Sequence, residues 1–388
     1  MKKIDSYFND FLSEIRLTKS QRDDLISGHT TLRDRLLAFE GLKDIIVTTF
    51  LQGSYRRSTA IRPLGEKRAD VDIIIVTNLD RNKVTPHEAL NLFIPFVEKH
   101  YKGKYKLQGR SIGIELSYVD LDIVVTSAPS EVDLEALKSQ SVTTNMMLED
   151  SINWRLIKSW REVAINGQTG SYTLSEAELK EAEWKLEPLH IPDRDAGLWE
   201  ETHPLEQIKW TRDKNRNTNG HFVNIVKALK WWRTLRLDKI KYPKGYPIEH
   251  MIGDCCNDNI SNIAEGVCST LENIVTTYRD NREANTVPNL PDRGVPGHNV
   301  WKRISSNEFN TFYDEVVKYA KIARKALDAN TLKEQSQYWR EIFGDKFPLA
   351  PDDNSGGGNN GGNNPKGSGG FTERTKVTVP PIGGGRFA

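Results

Sequence analysis

Cysteine is scarce in this chain. Cys255, Cys256 and Cys268 are the only three in 388 residues, an odd number that excludes a fully paired disulfide framework and fits a reducing compartment. No apolar run of about 18 residues occurs, which excludes a membrane-spanning helix. The lysines after Met1 are not followed by a continuous apolar stretch, so no secretory leader and a cytoplasmic location are expected. A charge excess is missing as well: Lys+Arg 54 and Asp+Glu 53 give a net charge of +1. A protein built to hold a long phosphate backbone carries a clear basic surplus. No long nucleic acid is therefore expected as a partner, and any polyanion handled should be small and locally bound. There is no Gly-rich loop closing in Lys-Ser/Thr and no Ser/His/Asp arrangement, so neither a P-loop nucleotidase nor a triad hydrolase is indicated.

What is present is a change of pattern along the chain. The first forty residues read as helix, with Phe8, Phe11, Leu12 and Ile15, then Leu25, Leu32, Leu36 and Leu37, at three- and four-residue steps. Asp44 to Gln52 is β-branched and apolar and runs into Gly53-Ser54, a strand followed by a turn. Asp70 to Thr77 reads as a second strand, Pro86 to Tyr101 as a helix, and Ile112 to Thr126 as a third strand ladder. After about residue 140 the strand signal fades. Helices are expected over Asn145–Ala164, Gly220–Leu237, Tyr246 to about Asp254, Asn259–Arg282 and Asn307–Ala329. The fold class is therefore α+β and bilobed: a lobe with a mixed sheet, then a helical lobe. Residues 355–370 are almost wholly Gly, Asn and Ser, a flexible tether to a short tail over 371–388.

The chemistry concentrates in carboxylates. Asp70 and Asp72 flank Val71 at a strand start, and strand alternation puts both acids on one face. Paired carboxylates suit hard divalent cations. Phosphoryl transfer from a triphosphate needs such ions to neutralise the α-phosphate and lower the pKa of the attacking hydroxyl. Two acids cannot enclose two metals, so a third must come from a neighbouring strand. The Asp120-Leu121-Asp122 segment offers it; Asp122 is preferred because its Ile-Val-Val continuation mirrors that of Asp72, with Asp120 the alternative. Gly53 lets the backbone turn tightly, and Ser54 offers hydroxyl and N–H groups to a β- or γ-phosphate. Asp-x-Asp alone is an ordinary solvated strand entry about as often as a site; the order strand, Gly-Ser, acidic strand, third acid is specific.

The run from Leu51 to Val76, containing Gly53-Ser54 and Asp70-Val-Asp72, resembles the nucleotidyltransferases that include DNA polymerase β, cGAS and oligoadenylate synthetase. It looks most like the bacterial cGAS/DncV-like enzymes (CD-NTases, SMODS-type cyclic oligonucleotide synthases of CBASS anti-phage systems). The likeness covers about residues 1 to 345. It implies a polymerase-β-like catalytic lobe with the N-terminal helices over 1–140 and a helical lobe over 141–350 completing the cleft. A linker over 351–370 and a tail over 371–388 follow. The implied activity joins ATP and other NTPs into a cyclic di- or trinucleotide, releasing pyrophosphate, with two Mg²⁺ (Mn²⁺ substituting) on Asp70, Asp72 and Asp122. Gly53, Ser54 and Lys230 would bind nucleotide, with Thr59 in support. Relatives place a phosphate-contacting Ser where this chain has Gly245-Tyr246. A separate effector would bind the product. In some related systems an E1/E2-like ligase acts on the synthase tail, here ending at Ala388. Competing outputs are a linear oligoadenylate synthetase or a protein AMP transferase; the competitor from another class is a non-catalytic nucleotide sensor or scaffold.

Three further features are weighed. Lys227, Lys230 and Arg233 form a basic stripe, of which only Lys230 is read as phosphate-facing and the others as a solvated helix face. Trp231 and Trp232 are read as core rather than as a base-stacking platform. His250 with the three cysteines invites a zinc reading, but the intervals differ from those of cGAS and an ordinary helix is favoured. The tail, with Val377, Val379 and Ile382, is read either as a loose end or as an extended address that a partner captures at a sheet edge.

Overall fold

The computed structural model describes residues 4–65, 67–127 and 188–351. The helix expected over Asn145–Ala164, the linker from residue 352 and the tail with Ala388 lie outside the described residues.

Two N-terminal helices, α1 (Ile4–Ile15) and α2 (Lys19–Leu37), meet at Thr18, whose hydroxyl caps the Gln21 N–H while Gln21 reaches back to the Thr18 N–H. Strand β1 (Ile46–Gln52) leads into a single helical turn, α3 (Gly53–Arg56), and then β2 (Asp70–Thr77). The long helix expected over Pro86–Tyr101 is two helices, α4 (Pro86–Asn91) and α5 (Ile94–Tyr101). Pro95 has no N–H to continue the ladder, so a new helix must start there. The expected third ladder is also two strands, β4 (Ile112–Glu115) and β5 (Asp120–Ser127), after the short β3 (Tyr105–Leu107). A tight turn in which the Leu116 N–H donates to the Val119 carbonyl reverses the chain between β4 and β5.

The strand signal does not end at residue 140. β6 (Leu189–Asp193) pairs with β5 at Ser127–His190 and with β7 (Leu198–Thr202). The described strands make one mixed sheet in the order β1-β2-β5-β4-β3, with β6 and β7 off the end of β5. Its one parallel contact among the described residues is β2 with β5; β1–β2 and β4–β5 are antiparallel.

Seven helices follow: α6 (Pro204–Asn217), α7 (Phe222–Arg236), α8 (Tyr246–Cys255), α9 (Ile263–Thr277), α10 (Arg279–Glu283), α11 (Ser306–Asp328) and α12 (Leu332–Phe343). Helix α9 starts later than the expected Asn259 because that residue is in a left-handed conformation (φ 57°) and Asn262 caps the Glu265 N–H instead. Helices α6 and α12, and the strands β6 and β7, were not expected from periodicity.

Burial sorts these elements into two main cores. One face of the sheet (Val71, Ile73, Ile75, Leu121, Ile123, Val125) packs under α2 and α5. The helical half forms the other, in which Trp231 and Trp232 are buried as expected. Helix α1 belongs to this second core: Phe8 lies edge-on to Trp339 at 4.9 Å and Phe11 stacks on Phe343 at 4.6 Å. The loop after α3 reaches the same core through Ile61 and Leu64. No helix among the described residues is long and apolar enough to cross a membrane.

Candidate active site

Alternation in β2 turns Val71 and Ile73 into the core beneath α2, and so turns Asp70 and Asp72 the other way. The parallel register sets Asp70 beside Asp120 and Asp72 beside Asp122, with Gln52 of β1 on the far side of Asp72. Gly53 follows Gln52 at φ 75°, and a Cβ at Gly53 would run into the Asp72 carboxylate. The glycine bend is thus pressed against the acidic pair, where only glycine fits.

Asp120 and Asp122 differ in their partners. The Asp120 carboxylate accepts from Arg68 Nε at 2.8 Å. Asp122 Oδ1 accepts from Gln108 Nε2 at 3.1 Å and from Ser111 Oγ at 3.4 Å, both neutral donors. Among the described residues no cation forms an ion pair with Asp70, Asp72 or Asp122. Burial first, then Asp70 and Asp122, push Asp72 up to about 7 against the pull of Arg57. Burial and neighbouring acids likewise raise Asp70 and Asp122, with Lys230 opposing at Asp70. Asp70 itself is exposed at the start of β2. Three unpaired carboxylates that resist ionising together need positive charge. As they stand, no three His, Cys, Asp or Glu side chains among the described residues are drawn close enough to hold an ion.

The turn after Gly53 is tied by its own backbone. The Ser54 carbonyl accepts from the Thr59 and Ala60 N–H groups at 2.9 and 3.1 Å and from Thr59 Oγ1 at 3.4 Å. Ser58, between Arg57 and Thr59, stands at φ 60°, and its buried hydroxyl has no partner among the described residues. Strain of this sort persists only where the surroundings enforce it.

Lys230 reaches this turn from α7: its Nζ donates to the Thr59 carbonyl at 3.0 Å and to Glu249 Oε1 at 2.8 Å. Glu249 on α8 also accepts from Arg57 Nε at 3.1 Å. Burial alone would raise this carboxyl; Lys230 and Arg57 overcome it and hold it down at about 2. Tyr246, the first residue of α8, lies under the Arg57 guanidinium, 5.0 Å from the ring centre.

The two other basic residues of the stripe are not on a solvated face. Lys227 is 8% exposed, and burial, with Arg16, Lys230 and Arg22 around it, lowers it to about 7. Arg233 donates to the carbonyls of Ile240, Lys241 and Pro243 and holds that loop. The three cysteines are buried and free, and burial holds Cys255, Cys256 and Cys268 protonated at about 12, 11 and 12. His250 faces Arg293, 2.6 Å from its Nδ1, and burial with that cation lowers it to about 3.

Sequence reasoning missed Glu249, Arg57, Arg68, Gln108 and Ser111. Nothing local flags the last four. A buried Glu in an apolar helical stretch (Pro247-Ile-Glu249-His-Met) was the one available signal, since such an acid needs a cation partner.

Comparison with known proteins bears on this arrangement. Residues 1–128 match the Second Messenger Oligonucleotide or Dinucleotide Synthetase (SMODS) domain. The chain is 46% identical, over 100% of both lengths, to a cyclic AMP-AMP-GMP synthase from Enterobacter hormaechei subsp. hoffmannii. Its identity is again 46%, over 100% of both, to a probable cyclic AMP-AMP-GMP nucleotide synthase from Salmonella paratyphi B. Among solved structures it is similar to the Bradyrhizobium diazoefficiens CD-NTase CdnG in complex with GTP, with a TM-score of 0.63 and 13% identity, covering 89% of this chain and 95% of that one. At that identity the last likeness speaks for the fold alone.

Proposed function

The chain belongs to the CD-NTase family of cyclic oligonucleotide synthases and is a nucleotidyltransferase; from that premise we propose that Asp70, Asp72 and Asp122 hold two Mg²⁺ ions and that ATP and GTP are joined into cyclic AMP-AMP-GMP. The observation that carries the site is the Asp72–Asp122 register beside Gly53, with all three acids lacking a cationic partner among the described residues. Their donor set is all oxygen, which suits Mg²⁺ and admits Mn²⁺. The ions, when bound, supply the charge that neutralises the α-phosphate and lowers the pKa of the attacking hydroxyl. Asp120 stays with Arg68 and outside the set.

The remaining work falls to the protein. The Gly53 turn receives the donor triphosphate, to which the Ser54 hydroxyl and Lys230 Nζ donate. The acceptor hydroxyl attacks the α-phosphorus; the new O–P bond forms as the α–β bridge breaks, and pyrophosphate leaves in line. Two further rounds, the last intramolecular, close the ring. The base choice rests on 46% identity to the Enterobacter synthase over the full length of both chains. The catalytic lobe over 1–140 and the helical lobe over 141–350 supply the cleft in this reading, and a linker over 351–370 and a tail over 371–388 follow along the chain. In this reading the enzyme works in the cytoplasm in anti-phage defence, a separate effector binds the ring, and an E1/E2-like ligase acts on the tail at Ala388.

The test is incubation with labelled ATP and GTP and Mg²⁺, then phosphatase and mass analysis. A ring has no terminal phosphate to lose, so a phosphatase-resistant trinucleotide is expected. Asp70→Asn with Asp72→Asn should abolish pyrophosphate release while the far-UV spectrum is unchanged. Full turnover by that double variant would overturn the site.

A further inference from the structure

We propose that Glu249 is a positioning residue for the reaction: it binds Lys230 and Arg57 together and so fixes the direction in which Lys230 faces the donor triphosphate. The inference rests on the reading of Lys230 as a triphosphate contact. Glu249 is 5% exposed, and its two oxygens serve different cations: Oε1 accepts from Lys230 at 2.8 Å and Oε2 from Arg57 at 3.1 Å. An ammonium has three N–H donors. One of those on Lys230 goes to Glu249 and one to the Thr59 carbonyl at 3.0 Å, which leaves a single N–H with one fixed direction. Without the carboxylate the same ammonium, on a flexible four-carbon stem, keeps only the Thr59 bond, about which its other N–H groups can turn.

The cluster gathers three stretches of chain: the turn after Gly53 (Arg57, Thr59), α7 (Lys230) and α8 (Glu249). Two cations against one anion leave a surplus positive charge in a buried place. The Arg57 N–H donates to the Gly53 carbonyl, and Gly53 is pressed against the Asp72 carboxylate, so the cluster adjoins the acids. A simple clip between helices would need neither the second cation nor a bond to the Thr59 carbonyl.

A double-mutant cycle separates positioning from clipping. Glu249→Gln should raise the NTP KM about tenfold, and Lys230→Ala should do the same; combined, they should be no worse than about twofold beyond either alone, because both remove one function. Effects of the two changes that simply multiply, or a wild-type KM in Glu249→Gln, would overturn the proposal. Glu249→Asp keeps the charge, and hence the fold, but cannot span both cations. It should show the raised KM at an unchanged thermal midpoint, and a normal KM there also counts against positioning. If Lys230→Ala alone leaves KM unchanged, the reading of Lys230 fails, and the inference falls with it.

Discussion

Gly53 is held to glycine by two independent constraints. Its φ of 75° costs any residue with a Cβ, and the Asp72 carboxylate occupies the space a Cβ would need. The first constraint taxes stability, while the second moves a proposed metal ligand. Gly53→Ala should therefore lower stability by about 1–3 kcal/mol and cut pyrophosphate release by about 100-fold or more, a loss out of proportion to the unfolding. Urea midpoints and initial rates measured on the same preparation check this, and a variant with normal turnover would detach the bend from the chemistry. Residues of this kind were legible in the sequence, because strand alternation and a glycine after a strand are local facts. The partners were not. Arg57 meets Glu249 across 192 positions, and Arg68 meets Asp120 across 52, so no window of sequence contains either pair. Asp120 and Asp122 show the same limit: both lie on one face, and the guanidinium folded against Asp120 comes from 52 positions away in the chain. For Lys227, periodicity assigned a side of the helix but could not say that Arg16 and Arg22 stand there in place of water.

At the scale of elements, the parallel contact of β2 with β5 forces three carboxylates onto one face, and this has a consequence for stability. Asp72 binds its proton more tightly in the folded chain, at about 7, than an ordinary carboxyl does when unfolded. Between those two values the folded state carries the extra proton, so stability falls as pH rises through that interval, and the penalty is complete above about 7. Asp72→Asn removes it. The variant should be more stable than the parent at pH 8 and no more stable at pH 4, and added Mg²⁺ should raise the parent's midpoint at pH 8 but not the variant's to the same extent. Urea unfolding at both pH values is the measurement; equal midpoints at pH 8 would mean that the acids do not repel. The elements that escaped sequence reading escaped for specific reasons. A proline at position 95 restarts a helix whose apolar spacing runs on unbroken, and β6 carries Pro192 inside only five residues. The turn at Leu116–Val119 contains neither glycine nor proline to announce it.

For the whole molecule, what matters is which stretch of chain the chemistry needs. Every residue assigned to the reaction lies between Gly53 and Glu249, within the compact unit Met1–Pro351. Within that unit the N-terminal helix is not an appendage of the sheet: Phe8 and Phe11 pack among Trp339, Phe343 and Phe347, so the first and last described helices share one aromatic core. The chain must therefore be complete as far as Phe347 before α1 is held. A chain ended at Pro351 should keep its thermal midpoint within about 2 °C and its turnover within about twofold, because every described core residue and every assigned site residue remains. Shortening it further, to Lys333, should unfold α1 and abolish activity. In the proposed defence setting the first truncation would also lose ligase-dependent transfer to a target, which separates synthesis from attachment in a single protein. Differential scanning calorimetry beside a pyrophosphate-release assay tests both ends of this argument, and a fall in synthesis on removing only residues 352–388 would place part of the catalytic machinery in the tail.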